Sequence, residues 1–228
     1  MDEMYGGLIF FEDGPEMLQK SIRCMKACGL KVIAIDGAYQ EFLKMENRNN
    51  FESTDGCIDV AKAEADFFIP CKPGGWKDQA EKRNQYVLNT PEQSYFWVID
   101  ADEFIRPFTK LKSPLKGDSY RIMESRYSSE TIMTCMSTVR VYKKYNDLSY
   151  LYQHCRVYRT SQHNPQAGID TGLVTKASSM FNFEKPLILD DKNNRITIDH
   201  RCYMRPKNRE RMKQNYYRTR EEMKMGYS

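Results

Sequence analysis

The segment Trp97-Val98-Ile99-Asp100-Ala101-Asp102-Glu103 sets three carboxylates within four residues, directly after an apolar run. Carboxylate oxygens are natural ligands of hard divalent cations, and magnesium or manganese commonly bridges such groups to substrate phosphates. In an extended chain Asp100 and Asp102 point to the same side. Asp13 and Asp36 likewise follow apolar runs, Leu8-Ile9-Phe10-Phe11 and Val32-Ile33-Ala34-Ile35. The chain has only 3 histidines. His200 closes Ile196-Thr197-Ile198-Asp199 immediately before a basic segment, and His163 sits in the loop-like Gln162-His163-Asn164-Pro165. His154 lies in a strand-like alternation and reads as structural.

The elements that must position these groups alternate in type. Residues 6–11 read as a buried strand, and Pro15 suits the first turn of a helix that Gly29 ends. Residues 32–35 form a second strand, 57–65 a helix, 67–70 a third strand, 77–89 a helix and 95–99 a fourth strand. Short apolar strands alternating with helices predict an α/β domain with a mostly parallel sheet covered on both faces. Ligands of such sheets bind at the carboxyl ends of the strands, where Asp13, Asp36, Asp100 and Asp102 fall. Beyond residue 105, segments 119–126, 137–143, 154–159 and 196–198 read as strands that continue the sheet and build the other wall of a cleft. The expected organisation is one compact domain, with 1–104 as a nucleotide-binding type of architecture and 105–228 as the half that carries the basic C-terminal helix.

Composition narrows the class. With 40% hydrophobic and 12% aromatic residues in 228, the chain can bury one sizeable core, which excludes wholesale disorder. No run approaches the ~18–20 apolar residues of a membrane span, and the acidic start carries no visible signal peptide. Seven scattered cysteines lack the paired spacing of a zinc site and predict reduced thiols in a cytoplasmic protein. Formal charge is +4 overall, but residues 201–228 carry nine Lys/Arg against three Glu. That segment reads as a basic helix whose Met212, Tyr216, Thr219 and Met223 pack on the body, and it suggests an anionic partner.

The strand-and-helix start, Val32-Ile33-Ala34-Ile35-Asp36-Gly37, Asp78-Gln79-Ala80-Glu81-Lys82-Arg83-Asn84 and Val98-Ile99-Asp100-Ala101-Asp102-Glu103 together resemble glycosyltransferases of the GT-A fold, family-2-like. The resemblance spans about residues 5–105 and continues loosely to about 205. It implies a Rossmann-like sheet and transfer from a nucleotide-diphosphate sugar, of the UDP-hexose kind, with manganese or magnesium. Asp36 would then hold the base, Arg83 or Asn84 would lie near the nucleotide and Asp100 would face the ribose. Asp102 would bind the metal and His200 would complete its site. His163 resembles a histidine loop bordering sugar and acceptor. Arg201 and Arg205 could meet the diphosphate once a terminal loop closes.

Deprotonating an acceptor hydroxyl needs a positioned carboxylate. The Glu-Asp or His-Glu pair that related enzymes use is missing after residue 105. Asp170, between Gly168 and Gly172, ranks first because glycines admit close ligand approach, ahead of Glu184, Asp190 and Asp191. Family-2-like enzymes modify glycans, lipids and, in some phages, hydroxymethylated pyrimidines in DNA. The expected acceptors are therefore a glycan or modified double-stranded DNA, the latter fitting a phage-encoded chain in a host cytoplasm. Two other readings stand beside this one: a non-catalytic nucleic-acid-binding module on a degenerate nucleotide fold, and a nucleotidyltransferase, which would need a glycine-rich phosphate loop beyond Gly74-Gly75.

Overall fold

In a computed structural model of the chain, the structure describes residues 3–46, 49–106, 115, 119–127, 132–150, 157–159, 187–188, 190–191, 194–201, 204–209 and 211–214. The elements in order are β1 (Met4–Ile9), α1 (Pro15–Ala27), β2 (Lys31–Ile35), α2 (Gln40–Met45), α3 (Cys57–Glu64), β3 (Phe67–Ile69), α4 (Gln79–Asn89), β4 (Tyr95–Asp100) and β5 (Glu103–Arg106). There follow β6 (Ser119–Tyr127), β7 (Ile132–Lys143), β8 (Leu148–Tyr150), β9 (Val157–Arg159), β10 (Leu187–Ile188), β11 (Asp190–Asp191), β12 (Asn194–Arg195) and β13 (Thr197–His200).

The main sheet runs β3-β2-β1-β4-β7-β6-β13-β5, with β10 also on β6. Its first four strands are mutually parallel. β7 is antiparallel to β4 and β6, because only four residues separate β6 from β7 and such a connection makes a hairpin, not a crossover. β13 then enters parallel to β6 and antiparallel to β5, which becomes an edge. The fold is thus α/β and mostly parallel, and β6, β7, β10 and β13 of the second half extend the same sheet, whereas β9, in the predicted segment 154–159, pairs with β8 in a separate two-stranded sheet. The antiparallel insert and the helix α2 were not anticipated.

Local chemistry explains the helix positions. Pro15 opens α1 after Gly14, whose φ of 91° favours glycine, and Glu16 and Lys26 match the helix dipole at its two ends. Asp78 caps α4 by accepting the Glu81 N–H at 2.8 Å, while Glu81 reaches back to the Lys77 N–H at 2.7 Å. β1 is buried along its whole length. Its Gly6 and Gly7 let a helix approach on each face: an added Cβ would lie 2.5 Å from Met25 Sδ of α1 and 2.4 Å from the Tyr86 ring of α4.

Two cores result. Met25, Leu18 and Ile22 of α1 pack with Leu8, Trp97, Ile99 and Ile198 on one face, and Tyr86 and Val87 of α4 pack with Ile33, Ile35, Phe96 and Tyr150 on the other. A smaller cluster joins Phe11, Ala38, Phe42 and Leu43 to Met212. Residues 207–209 and 211–214 are helical, and Met212 is buried as its spacing predicts. Tyr216, Thr219 and Met223 lie outside the described residues. Cys24, Cys28, Cys57 and Cys71 are buried free thiols. Burial pushes Cys24 up to about 12 and Cys71 up to about 11, which keeps both protonated and unreactive. Among the described residues no helix is long and apolar enough to cross a membrane.

Candidate functional site

The carboxyl ends of β1, β2 and β4 gather acidic and basic side chains into one network. The chain does not stay extended past Asp100: Ala101 and Asp102 form a turn, and β5 begins at Glu103. This corrects the expectation that Asp100 and Asp102 share a side by strand alternation. Glu103 stabilises the turn by accepting the Asp100 N–H at 2.9 Å. Its carboxylate also takes a bidentate pair from Arg140 of β7, at 2.6 and 3.1 Å, and Arg140 further donates to the Val98 carbonyl at 3.3 Å. Glu103 and Arg140 are both buried.

Asp100 is half-buried and accepts from Arg83 Nη2 at 2.6 Å. Burial raises its pKa, but Arg83 and Arg140 more than offset this and hold the carboxyl below the usual range. Asp102 is wholly buried, with Oδ1 accepting from Arg205 Nη2 at 2.7 Å and Oδ2 facing His200 Nε2 at 3.0 Å. Burial again works against the charge, and Arg205 and His200 overcome it, so Asp102 stays ionised. His200 reaches this position because β13 pairs it with Glu103 across the edge strand. Its Nδ1 lies 3.8 Å from Glu103 Oε1.

Arg205 also bridges to Asp13, with Nε 3.2 Å from Oδ1, and Arg209 Nε lies 3.4 Å from the same oxygen. Arg209 stacks over Phe11 and Phe42 at 6.0 and 5.4 Å from the ring centres. Residues 204–209 and 211–214 thus carry a strap that three ion pairs tie to Asp13 and Asp102 and that Met212 anchors on Phe11 and Phe42.

Asp36 is fully buried and engaged: the Ser53 hydroxyl donates to Oδ1 at 2.6 Å, and the Ser53 N–H donates to Oδ2 at 3.2 Å. Burial raises its pKa, with Ser53 and Lys82 acting in the opposite direction. Ser53 accepts in turn from the Glu12 N–H at 3.0 Å, which fastens the loop before α3 onto the ends of β1 and β2. Lys82 joins the same two ends by donating to the Phe10 carbonyl at 2.6 Å and the Gly37 carbonyl at 2.5 Å. Its burial pulls it down to about 7, although Asp36 and Asp13 favour the charge.

The structure thus brings together Arg83, Asp100, Asp102, His200 and Arg205 from the sequence-predicted set. Asn84 is directed elsewhere. Its amide donates to the Tyr150 carbonyl at 2.9 Å and accepts from the Tyr150 N–H at 2.6 Å, so it clamps α4 to β8. Arg201 donates its N–H to the Asp102 carbonyl at 2.8 Å while its guanidinium turns to Asp199, 3.5 Å away. His163, Asp170, Glu184 and His154 lie outside the described residues, and Asp190 and Asp191 are described only as backbone of β11.

Lys82, Arg140, Arg209 and Ser53 were not anticipated. Helical spacing carried a signal for Lys82, which sits four residues before the buried Tyr86 on the inner face of α4. No such signal marks Arg140, because β7 is covered on both faces there, and Arg140 and Val141 are both buried.

Asp102 and His200 offer a carboxylate oxygen and an imidazole nitrogen side by side. Their 3.0 Å separation matches the roughly 3.0 Å edge of an octahedral site with ~2.1 Å bonds. Among the described residues no group of three His, Cys, Asp or Glu could cage a metal. Asp102 offers the kind of carboxylate oxygen that magnesium or manganese takes together with water and phosphate oxygens, while the imidazole of His200 is the softer donor. Arg205 is the competing cation on Asp102. No family model matches the chain, and a comparison with curated proteins finds no match either.

Proposed function

We propose that the chain is a metal-assisted glycosyltransferase that takes a sugar from a nucleotide-diphosphate donor, of the UDP-hexose kind, to an acceptor hydroxyl. The observation that carries the reading is the meeting of Asp102 with His200 and Arg205 at the carboxyl end of β4, beside Asp100–Arg83 and the end of β2. Open α/β sheets bind ligands at that end. A divalent cation held there by Asp102 and His200 would neutralise the charge that grows on a departing diphosphate.

The chain's own groups have separate tasks in this scheme. Arg83 fixes the Asp100 carboxylate so that its exposed side can accept from a ribose hydroxyl. Glu103 and Arg140 hold the Asp100–Asp102 turn rigid, which preorganises the carboxylates before any ligand arrives. Arg205 exchanges its place on Asp102 for the diphosphate, a neighbouring anion that its guanidinium can grip bidentately. With Arg209 it keeps the strap over the bound donor and excludes water, which limits hydrolysis of the sugar. Asp36 would meet the base only after releasing Ser53, so donor binding and movement of the loop before α3 are coupled. Asp170 and His163 are the proposed base and acceptor-side residues.

The test is calorimetric titration of UDP with manganese and then with EDTA, on the wild type and on Asp102→Asn. Micromolar binding that EDTA abolishes and Asp102→Asn weakens at least tenfold supports the proposal. No nucleoside diphosphate binding in either condition overturns it. Turnover with glycan acceptors, or with duplex DNA carrying hydroxymethylated pyrimidine, then separates the two acceptor classes.

One observation favours a second reading. Every oxygen of Asp102 is already engaged by Arg205 and His200, as in a domain whose charged interior is purely structural. A non-catalytic nucleic-acid-binding module of this kind would bind duplex DNA in a salt-sensitive way and ignore metal and nucleotide.

A further inference from the structure

Asp102 is tied to one short stretch of chain. His200 Nε2 lies 3.0 Å from its Oδ2, the Arg201 N–H donates to its carbonyl at 2.8 Å, and Arg205 Nη2 donates to its Oδ1 at 2.7 Å. Met204 closes the turn between them by donating its N–H to the Arg201 carbonyl at 3.0 Å. The same guanidinium faces a second carboxylate, with Arg205 Nε 3.2 Å from Asp13 Oδ1. Asp13 follows β1 and is buried. Its Oδ2 accepts from the Phe11 N–H at 3.0 Å. Its Oδ1 is buried and accepts no hydrogen bond among the described residues, where it has the ion contacts to Arg205 and to Arg209, 3.4 Å away. A buried carboxylate oxygen with unused acceptor capacity is costly and uncommon, and this one lies beside a guanidinium that is spent on another acid.

We infer that Arg205 is a tethered competitor of the divalent cation: the two exclude each other at Asp102, and Asp13 receives the guanidinium that the cation displaces. The inference rests on the metal-assisted reading of Asp102 and adds the regulation of that site. Asp102 is wholly buried and both its oxygens are engaged, so a cation must take a place that Arg205 or His200 holds. A neutral imidazole can stay as a ligand. A guanidinium keeps its charge and repels a divalent ion strongly across a few ångströms of buried space, so Arg205 is the group that leaves. Its move is short, because Nε already faces Asp13, and there Oδ1 gains the hydrogen bond that it lacks. Held through Nε, the fork keeps other N–H donors for a diphosphate. The exchange that admits the cation therefore also readies Arg205 for the donor. The rest of the strap has contacts that Asp102 does not share, since Arg209 stacks on Phe11 and Phe42 and Met212 packs in their cluster. Cation and strap are thus coupled through one carboxylate, and such coupling is reciprocal.

The test titrates the full chain with manganese alone, without nucleotide, and reads the free ion by its electron paramagnetic resonance signal. A competitor lowers apparent affinity by the fraction of time it holds the site, so Arg205→Gln should bind manganese about tenfold more tightly or better. Lys213→Gln removes a cation that acts on Asp102 through space, and should tighten binding by less than about threefold. Asp13→Asn takes away the receiving carboxylate and should weaken binding about fivefold alone yet hardly at all beside Arg205→Gln, a non-additivity that mere loss of charge does not produce. A measurement on the wild type guards against a variant that fails to fold. Hydrogen exchange at the Met204 amide should quicken when manganese is added, because its turn loses the tie from Arg205 to Asp102. An Arg205→Gln affinity within about twofold of the wild type, equal effects of Asp13→Asn in both backgrounds, or Met204 exchange that manganese leaves unchanged or slows overturns the inference. Manganese binding by none of these proteins overturns it together with the metal reading. Tighter manganese binding in Arg205→Gln with no UDP binding in any variant would uphold the inference and remove the transferase.

Discussion

Glu103→Gln removes one charge from a deeply enclosed ion pair of the site. Glu103 is 1% exposed and Arg140 8%, and the two share contacts at 2.6 and 3.1 Å. Glutamine keeps the size of the side chain and can still accept the Asp100 N–H, so the loss is mainly the charge. Breaking a buried pair by deleting one partner costs about 3–5 kcal/mol, because Arg140 loses its bidentate carboxylate and keeps the more distant attraction of Asp100. Against a total stability of roughly 5–15 kcal/mol, that is a large share, and at about 2–4 °C per kcal/mol for a chain of this size the melting temperature should fall by roughly 6–20 °C. The assay is urea unfolding followed by tryptophan fluorescence. Both tryptophans, Trp76 and Trp97, are buried and report the folded state. Adding Arg140→Met removes the cation that has lost its bidentate partner, so the double variant should recover more than about half of the loss, and the double-mutant cycle gives the coupling. A Glu103→Gln variant within about 1 kcal/mol of the wild type would refute the reasoning, because the pair would then be solvated.

Lys82 gives a pH prediction. Burial depresses it to about 7 from an ordinary 10.5, so above pH 7 the unfolded chain holds a proton that the folded chain has lost. Stability should therefore rise with pH from about 7 toward 8.5 relative to Lys82→Met, whose curve is flatter, and identical slopes in urea melts would count against the buried position. The carboxyls of Asp100 and Asp102 are held low in the folded state, so their contribution is present above the ordinary carboxylate range and is lost as pH falls through it. Acid titration of Asp102→Asn should show a shallower loss than the wild type. Ser53→Ala strips a donor from buried Asp36 and an acceptor from the Glu12 N–H, and should cost about 1–3 kcal/mol in the same unfolding assay. Gly7→Ala drives a methyl to 2.4 Å from the Tyr86 ring, and an overpacking cost of about 1–3 kcal/mol or more should appear as a lower melting temperature. A wild-type value would mean that α4 can move away from the sheet.

The parallel half of the fold was legible because each of its strands is a short apolar run and each helix carries its own start and stop chemistry. Pro15 and Gly29 mark boundaries that the structure keeps within two residues, and the helix predicted over 77–89 begins at Gln79. β1 was placed two residues late, since Phe10 and Phe11 are as apolar as the strand itself yet lie beyond its last pair. α2 was missed: its six residues are too few to display a clear helical period. The acids Asp13, Asp36, Asp100 and Asp102 were found from their place after apolar runs.

What the sequence determined by itself was the alternation of elements, and with it the end of the sheet at which acidic residues collect. Periodicity and capping are local properties, readable within a dozen residues. Only the tertiary structure decided which cation answers which carboxylate. Arg140 meets Glu103 from 37 residues away and Arg205 meets Asp102 from 103 residues away. No local pattern encodes such pairs. They form because the β6–β7 hairpin and the return of β13 fold distant charges into a largely buried space, where each charge must find its opposite.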